Sequence, residues 1–242
     1  LRGLHKGFAG RPVLHGIDLK VKPGEIFVIM GPSGSGKSVL LKHVIGLEAP
    51  DSGEVLVGGK SVAAEGALDR HRMAMVFQSG ALLNSLTVAE NVGLYLTEHR
   101  LKSPEDIDQI VTEKLLLVGL AGEGEKIPAE LSGGMKKRVG LARAIVHRPE
   151  IVLYDEPTTG LDPMSSDTID QLMMRVNERI KATTIVVTHD MRTARRLGDR
   201  IVYLHGGRIY LDDTAENVFM SDDPVVSRFV KGEADLKEVD FS

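Results

Sequence analysis

An α/β fold is the class this sequence predicts, on three observations. A strand-like run, a glycine-rich turn and a helical run follow one another within residues 25–46. Two later runs, 151–154 and 184–187, are apolar apart from Thr184, as strands covered by helices on both faces tend to be. Between and around them the apolar residues recur with helical spacing.

The elements follow in order. Residues 13–21 and 25–30 flank the Pro23-Gly24 turn, and 53–57 runs into Gly58-Gly59, so antiparallel strands are expected there. After Ser38 the positions Leu40, Leu41, Val44 and Ile45 describe a helix that Gly46 is placed to stop. From 79 to 148 the text turns helical. Ser103-Pro104-Glu105-Asp106 combines a cap, a proline at the first helical position and acids in the first turn, for a helix ending at Val118 before Gly119. Asp162-Pro163 starts another, with Ile169, Leu172, Met173, Val176 and Ile180 along its core side. Residues 200–204, Gly206-Gly207 and 209–211 read as a closing hairpin. From Ser221 onward six acids face three bases; the last dozen residues are expected to be mobile, while Val225, Val226, Phe229 and Val230 have a surface to pack.

Composition narrows the function. The 242 residues suffice for a full core and suggest one nucleotide-sized domain with lobes. A net charge of -4 and a pI near 6.1 argue against a nucleic-acid partner. The absence of cysteine fits a reducing, cytosolic compartment. No apolar run approaches the ~20 residues that a spanning helix needs. Opening on Leu1 rather than Met, the chain reads as trimmed.

The chemistry begins at Gly31-Pro32-Ser33-Gly34-Ser35-Gly36-Lys37-Ser38, a full match to G-x-x-x-x-G-K-[ST] between a strand and a helix. Glycines let successive N–H groups curl into an anion nest, and the helix aims its positive end at the same spot. Lys37 is placed to reach terminal phosphates, and Ser38 offers a hard oxygen to Mg²⁺. The run 151–154 ends in two carboxylates: Asp155 suits a Mg²⁺ anchor and Glu156 a group that polarises an attacking water. Alone, such a pair reads as a helix cap or a solvated corner. In Leu131-Ser132-Gly133-Gly134-Met135-Lys136-Lys137-Arg138 the Ser is an N-cap, yet three cations crowd a helix start whose dipole disfavours each by ~0.3–1 kcal/mol. An anion brought to Ser132 and the N–H groups of Gly133 and Gly134 would resolve that conflict. A solvated basic face is the other reading.

Together these segments resemble the nucleotide-binding domains of ABC transporters, over nearly the whole chain and in that family's order. Walker A lies at 31–38, a Q-loop glutamine at Gln78 in VFQSGAL, and a signature at 131–135. Walker B follows at 151–155 with Glu156, then a D-loop at GLDP, 160–163, and a switch histidine at His189 in VVTHD. The resemblance implies one ABC-type ATPase domain over 1–242, a P-loop NTPase with a RecA-like core, an antiparallel β subdomain, a helical signature subdomain over 79–148 and a tail from 221. It implies ATP and Mg²⁺ as cofactors. Two chains would pair head to tail, each ATP lying between Walker A of one and Ser132, Gly133 and Gly134 of the other. Phe8 would stack on adenine. Gln78 would join Ser38 and Asp155 on Mg²⁺, His189 would touch the γ-phosphate, and Asp162 would link the two sites. Catalysis would rest on Glu156, His189, Lys37 and Gln78. Met135 departs from the family's usual glutamine, and Phe8 from its usual tyrosine.

Within that family, FQSGALLNSLTVAENV with LSGGM is most similar to the Mla and Mce type of bacterial phospholipid transport ATPase. That resemblance implies an integral membrane permease, docked near 78–92, a periplasmic Mce-domain protein, in some systems a small STAS-domain protein, and a peripheral position on the cytoplasmic face of the inner membrane. Two readings stand side by side: an energy-coupling ATPase, favoured by Glu156, and a nucleotide-gated regulatory module with little turnover.

Overall fold

A computed structural model describes residues 1–64 and 72–233. Its strands are β1 (Arg2–Phe8), β2 (Arg11–Ile17), β3 (Ile26–Met30), β4 (Ser52–Glu54), β5 (Leu56–Val57), β6 (Lys60–Ser61), β7 (Met73–Val76), β8 (Ile151–Asp155), β9 (Thr183–Val187), β10 (Arg200–His205) and β11 (Arg208–Thr214). The helices are α1 (Lys37–Val44), α2 (Val88–Glu98), α3 (Pro104–Leu117), α4 (Gly133–Ile145), α5 (Pro163–Ile180), α6 (Met191–Leu197), α7 (Ala215–Phe219) and α8 (Pro224–Lys231).

The large sheet has the order β11-β10-β3-β9-β8-β7. From β10 to β7 every pairing is parallel, with Val28 opposite Val186 and Val152 opposite Thr184; β11 returns antiparallel to β10, completing the expected hairpin. Because successive strand residues face opposite ways, each strand feeds two cores. Val28, Met30, Val152, Tyr154, Val186, Ile201 and Tyr203 join the core built with α2 to α6. Phe27, Ile29, Leu153, Ile185, Val187, Val202 and Leu204 join Leu40, Leu41 and Val44 of α1 and Leu4, Leu14 and Ile17 of the small sheet. That double burial is why these runs carry no polar alternation. Each fully buried side chain contributes about 1.5–3 kcal/mol.

The small sheet has the order β2-β1-β4, antiparallel throughout. Here the expectation needs correcting: 25–30 is not an antiparallel partner of 13–21 but β3, a central parallel strand. Its alternate residues enter both cores, so the Pro23-Gly24 turn passes the chain from one sheet to the other. The expected strand 53–57 is broken, because Val55 is buried between β4 and β5; β5 and β6 form a small hairpin around Gly58-Gly59. β1 was not foreseen, since only Leu4 of its seven residues is buried and pairing, not pattern, holds it.

The helix ends follow their capping residues. Gly46, at φ 74°, ends α1, its N–H donating to the His43 carbonyl. Thr87 and Glu90 form a reciprocal capping box on α2, and the buried Asn91 side chain donates to the carbonyls of Leu83, Leu86 and Thr87 while accepting from Leu83 N–H, pinning the loop before α2. Ser103 caps α3 and Val118 closes it, as expected. Val226 of α8 is fully buried and Phe229 lies 4.9 Å from the Tyr203 ring, so the expected apolar face is packed. Of the dozen residues expected to be mobile, 231–242, the nine at 234–242 lie outside the described residues, and Lys231 ends α8. No described helix is long and apolar enough to cross a membrane.

Asp170 of α5 is only 3% exposed and accepts from Thr193 Oγ of α6 at 3.0 and 3.1 Å. Burial pushes its carboxyl up to about 6, against the Thr193 hydroxyl and the Arg196 charge. The folded state therefore holds a proton that the unfolded chain, at its ordinary value of 3.8, releases. Stability contributed by this group is lost as pH rises from 3.8 through about 6. Asp170→Asn is expected to stabilise the protein by roughly 2 kcal/mol at pH 7.5, with the gain vanishing near pH 4. Urea unfolding at the two pH values checks it, and an equal gain at both would refute the linkage.

Candidate active site

The loop between β3 and α1 takes its shape from two glycines with different constraints. Gly31, at φ 152°, lies so close to β10 that an added Cβ would stand 2.2 Å from the Leu204 carbonyl oxygen and 2.9 Å from Ser35 Oγ. Gly36, at φ 99°, caps α1 in the left-handed region, and a Cβ there would meet Leu14 Cδ2 at 2.8 Å. Strain and overpacking together make Gly31→Ala cost roughly 2–5 kcal/mol. Denaturant unfolding measures this; a loss under about 1 kcal/mol would mean that β10 gives way.

Lys37, 7% exposed, folds back over this loop and donates to the carbonyls of Gly31 at 2.8 Å and Pro32 at 3.0 Å. Burial lowers its affinity for protons, while Glu156 and Asp155 oppose that shift. The next residue, Ser38, donates its hydroxyl to Asp155 Oδ1 at 2.7 Å, across from α1 to the end of β8. Ser35 Oγ is buried and, among the described residues, has no hydrogen-bond partner.

Glu156 leaves β8 in the left-handed region, at φ 49°, which costs a non-glycine residue about 1–3 kcal/mol. Its N–H donates to the Val187 carbonyl, and the turn aims its carboxylate into the cleft. There Oε1 stands 4.0 Å from Lys37 Nζ, and Oε2 lies 2.7 Å from His189 Nδ1 and accepts from Thr159 Oγ at 3.0 Å. Ser33, Gly34, Gly36, Lys37, Ser38, Gln78, Glu156, Thr159 and His189 line one cleft, of about 410 Å³. Sequence reasoning did not single out Thr159; its signal is the hydroxyl three residues past Glu156.

A second cluster lies outside that cleft. Ser132 caps α4, accepting from Met135 N–H at 3.3 Å, and Asp162 caps α5, accepting from the N–H groups of Met164 and Ser165. The two are neighbours: a Cβ on Gly133 would be 3.8 Å from Leu161, and one on Gly134 3.8 Å from Ser165. Phe8, at the end of β1, is 44% exposed under the Lys6 ammonium and is not among the cleft-lining residues.

The three cations of α4 need a correction. Lys137 is buried, 7% exposed, and donates to the carbonyls of Thr159 at 2.7 Å and Pro157 at 2.8 Å, with Glu156 O at 3.5 Å. Arg138 donates to Gly119 O at 3.1 Å and Val118 O at 3.4 Å, capping the C-terminal end of α3. Two of the three charges thus answer carbonyl dipoles of the same chain rather than waiting for an anion. Further along α4, Arg143 donates to the carbonyls of Gly80 and Ala81, and Gly140 sits so near Gly80 that a Cβ would be 3.2 Å from its Cα.

A parallel sheet in which β3 passes through a glycine loop into α1, with the β8 carboxylate bonded to the first-turn serine, is the architecture of a P-loop nucleoside triphosphatase. The family model described as ABC transporter matches residues 14–159, and the chain belongs to the ABC transporter family. It is 40% identical over 236 residues to the probable ribonucleotide transport ATP-binding protein mkl of Mycobacterium leprae, covering 96% of this chain and 68% of that one. It is also 40% identical over 229 residues to the intermembrane phospholipid transport system ATP-binding protein MlaF of Haemophilus influenzae, covering 93% and 87%. A dimeric ATP-binding cassette in a post-hydrolysis state bound to ADP and Pi superposes with a TM-score of 0.80 at 34% identity, over 88% of this chain and 97% of that one. The chain is an ATP-binding, ATP-hydrolysing subunit of this class.

Proposed function

We propose that the chain drives phospholipid movement between bacterial membranes by ATP-dependent head-to-tail pairing, held to the cytoplasmic face of the inner membrane by an integral membrane permease. One observation supports the pairing above all others: Lys37, Ser38, Glu156 and His189 line one cleft, while Ser132 and Asp162 cap helices in a separate cluster of the same chain. A second copy, turned head to tail, brings its Ser132, Gly133 and Gly134 to the phosphates held by the first, and Asp162 lies where the two sites meet.

The site fits a Mg²⁺ nucleotide. Ser38 Oγ and Asp155 Oδ1, 2.7 Å apart, are hard oxygens of the kind and number that Mg²⁺ takes from protein when phosphates supply the rest. Ser38, Asp155 and Gln78 would hold the ion, which neutralises charge on the β- and γ-phosphates. The buried Ser35 hydroxyl and the Lys37 ammonium have donors to give a polyphosphate. Lys37 exchanges its carbonyl partners for phosphate oxygens. Glu156 orients the water that attacks the γ-phosphorus as the bond to the β-γ bridging oxygen breaks, and the products are ADP and phosphate. His189 turns from Glu156 to the γ-phosphate, and the exposed Phe8 ring offers its face to adenine.

The phospholipid reading draws on the likeness to MlaF, and the mkl likeness supports a ribonucleotide reading instead. Purification of the full chain with its natural partners separates them. A permease with a periplasmic Mce-domain protein, with or without a small STAS-domain protein, is expected. A permease of another kind alone would refute the phospholipid reading and leave the ATPase intact.

A further inference from the structure

We infer that Lys137 is a positioning residue for ATP hydrolysis, its ammonium gathering the backbone carbonyls of residues 156, 157 and 159 and so fixing where the Glu156 carboxylate points. The inference rests on the proposed role of Glu156. A buried lysine ordinarily has a carboxylate partner. Among the described residues Lys137 has none: its three N–H donors meet Thr159 O at 2.7 Å, Pro157 O at 2.8 Å and Glu156 O at 3.5 Å. Burial weakens its hold on the proton, with the Glu156 charge opposing, so the arrangement carries a real desolvation cost.

What the cation offsets is the loop's own conflict. Glu156 has left-handed backbone, and the turn that follows, closed by Thr159 N–H to Glu156 O at 3.3 Å, sends three carbonyl dipoles toward one point. Without a donor there the dipoles repel, and the carbonyls of Pro157 and Thr159 lose the ammonium they bond to, while Glu156 O keeps only the Thr159 N–H. The loop would relax by turning its peptides. Thr159 Oγ, bonded to Glu156 Oε2, would move with them, and the carboxylate would lose its aim. Lys137 stands five residues after Ser132 on α4, so the same helix that offers a signature serine to the other copy holds the hydrolytic carboxylate of its own.

Lys137→Met keeps the length and removes the donors; Lys137→Gln keeps two of them. In the full chain reconstituted with its permease, Lys137→Met is expected to lower kcat at least tenfold with KM for ATP within twofold of wild type, and Lys137→Gln to fall between the two. Placed on Glu156→Gln, Lys137→Met is expected to remove little of the residual turnover, because a residue acting through Glu156 has nothing left to act on. Wild-type kcat in Lys137→Met beside an inactive Glu156→Gln would overturn the inference alone. So would a parallel loss of ATP affinity, or full additivity on Glu156→Gln, since either marks a merely structural lysine. Should Lys137→Met fail to fold, Lys137→Gln carries the comparison: a three- to tenfold kcat loss at unchanged KM supports the role, and wild-type kcat refutes it. Full turnover in Glu156→Gln would sink the reading of Glu156 itself, a separate failure.

Discussion

Glu156→Gln is expected to lower ATP turnover by about 10²- to 10⁴-fold while leaving ATP binding intact. Glutamine keeps the shape of the side chain and can still accept from Thr159 Oγ, which lies 3.0 Å from Oε2 in the wild type. It cannot act as a base, and it presents no anion to His189 Nδ1 at 2.7 Å or to Lys37 Nζ at 4.0 Å. Nucleotide then binds and is not cleaved, so the ATP-bound pair should accumulate. Steady-state phosphate release with the permease present, and light scattering of the variant with ATP and Mg²⁺, measure the two effects. Equal turnover in variant and wild type would take Glu156 out of the chemistry. A scattering mass that stays monomeric would remove the head-to-tail pair.

Lys37→Ala should weaken ATP binding at least about 100-fold, because a charge-assisted bond to phosphate in a buried setting is worth roughly 1.5–3 kcal/mol and its loss leaves phosphate charge unanswered. The folded apo state should survive. Lys37 is buried at a cost that shows in its lowered proton affinity, and only the carbonyls of Gly31 and Pro32 lose a donor when it goes. A titration of nucleotide followed by fluorescence or calorimetry, beside a thermal melt of the apo protein, distinguishes the outcomes. Near-normal affinity would place the phosphates somewhere other than this loop.

Where the chain obeys local rules, its structure was legible residue by residue. Ser103 caps a helix, Gly46 ends one, and the apolar runs 151–154 and 185–187 became parallel strands because both their faces are covered. The glycine loop was legible because Gly31 and Gly36 occupy backbone that side chains could not share. Two misreadings have a common physical source: partners distant in sequence. Pro23-Gly24 looks like a hairpin turn until β3 is seen paired with β9 and β10, far along the chain. Lys137 and Arg138 look misplaced on a helix start until the carbonyls they serve, at 156–159 and 118–119, are seen folded against them. The burial of Lys137 leaves no mark in the neighbouring letters. β1 escaped notice for a similar reason, since its mostly polar residues make a strand only through pairing with β2 on one side and β4 on the other.

The contact between Gly80 and Gly140 has a mechanical consequence. Main chain rests on main chain there, with Arg143 tying the Gly80 and Ala81 carbonyls to the same helix. Side chains deform by changing rotamers, whereas two abutting peptide backbones have almost no such give. A thrust on the segment following Gln78 would therefore reach α4, the helix that Ser132 caps, with little slack.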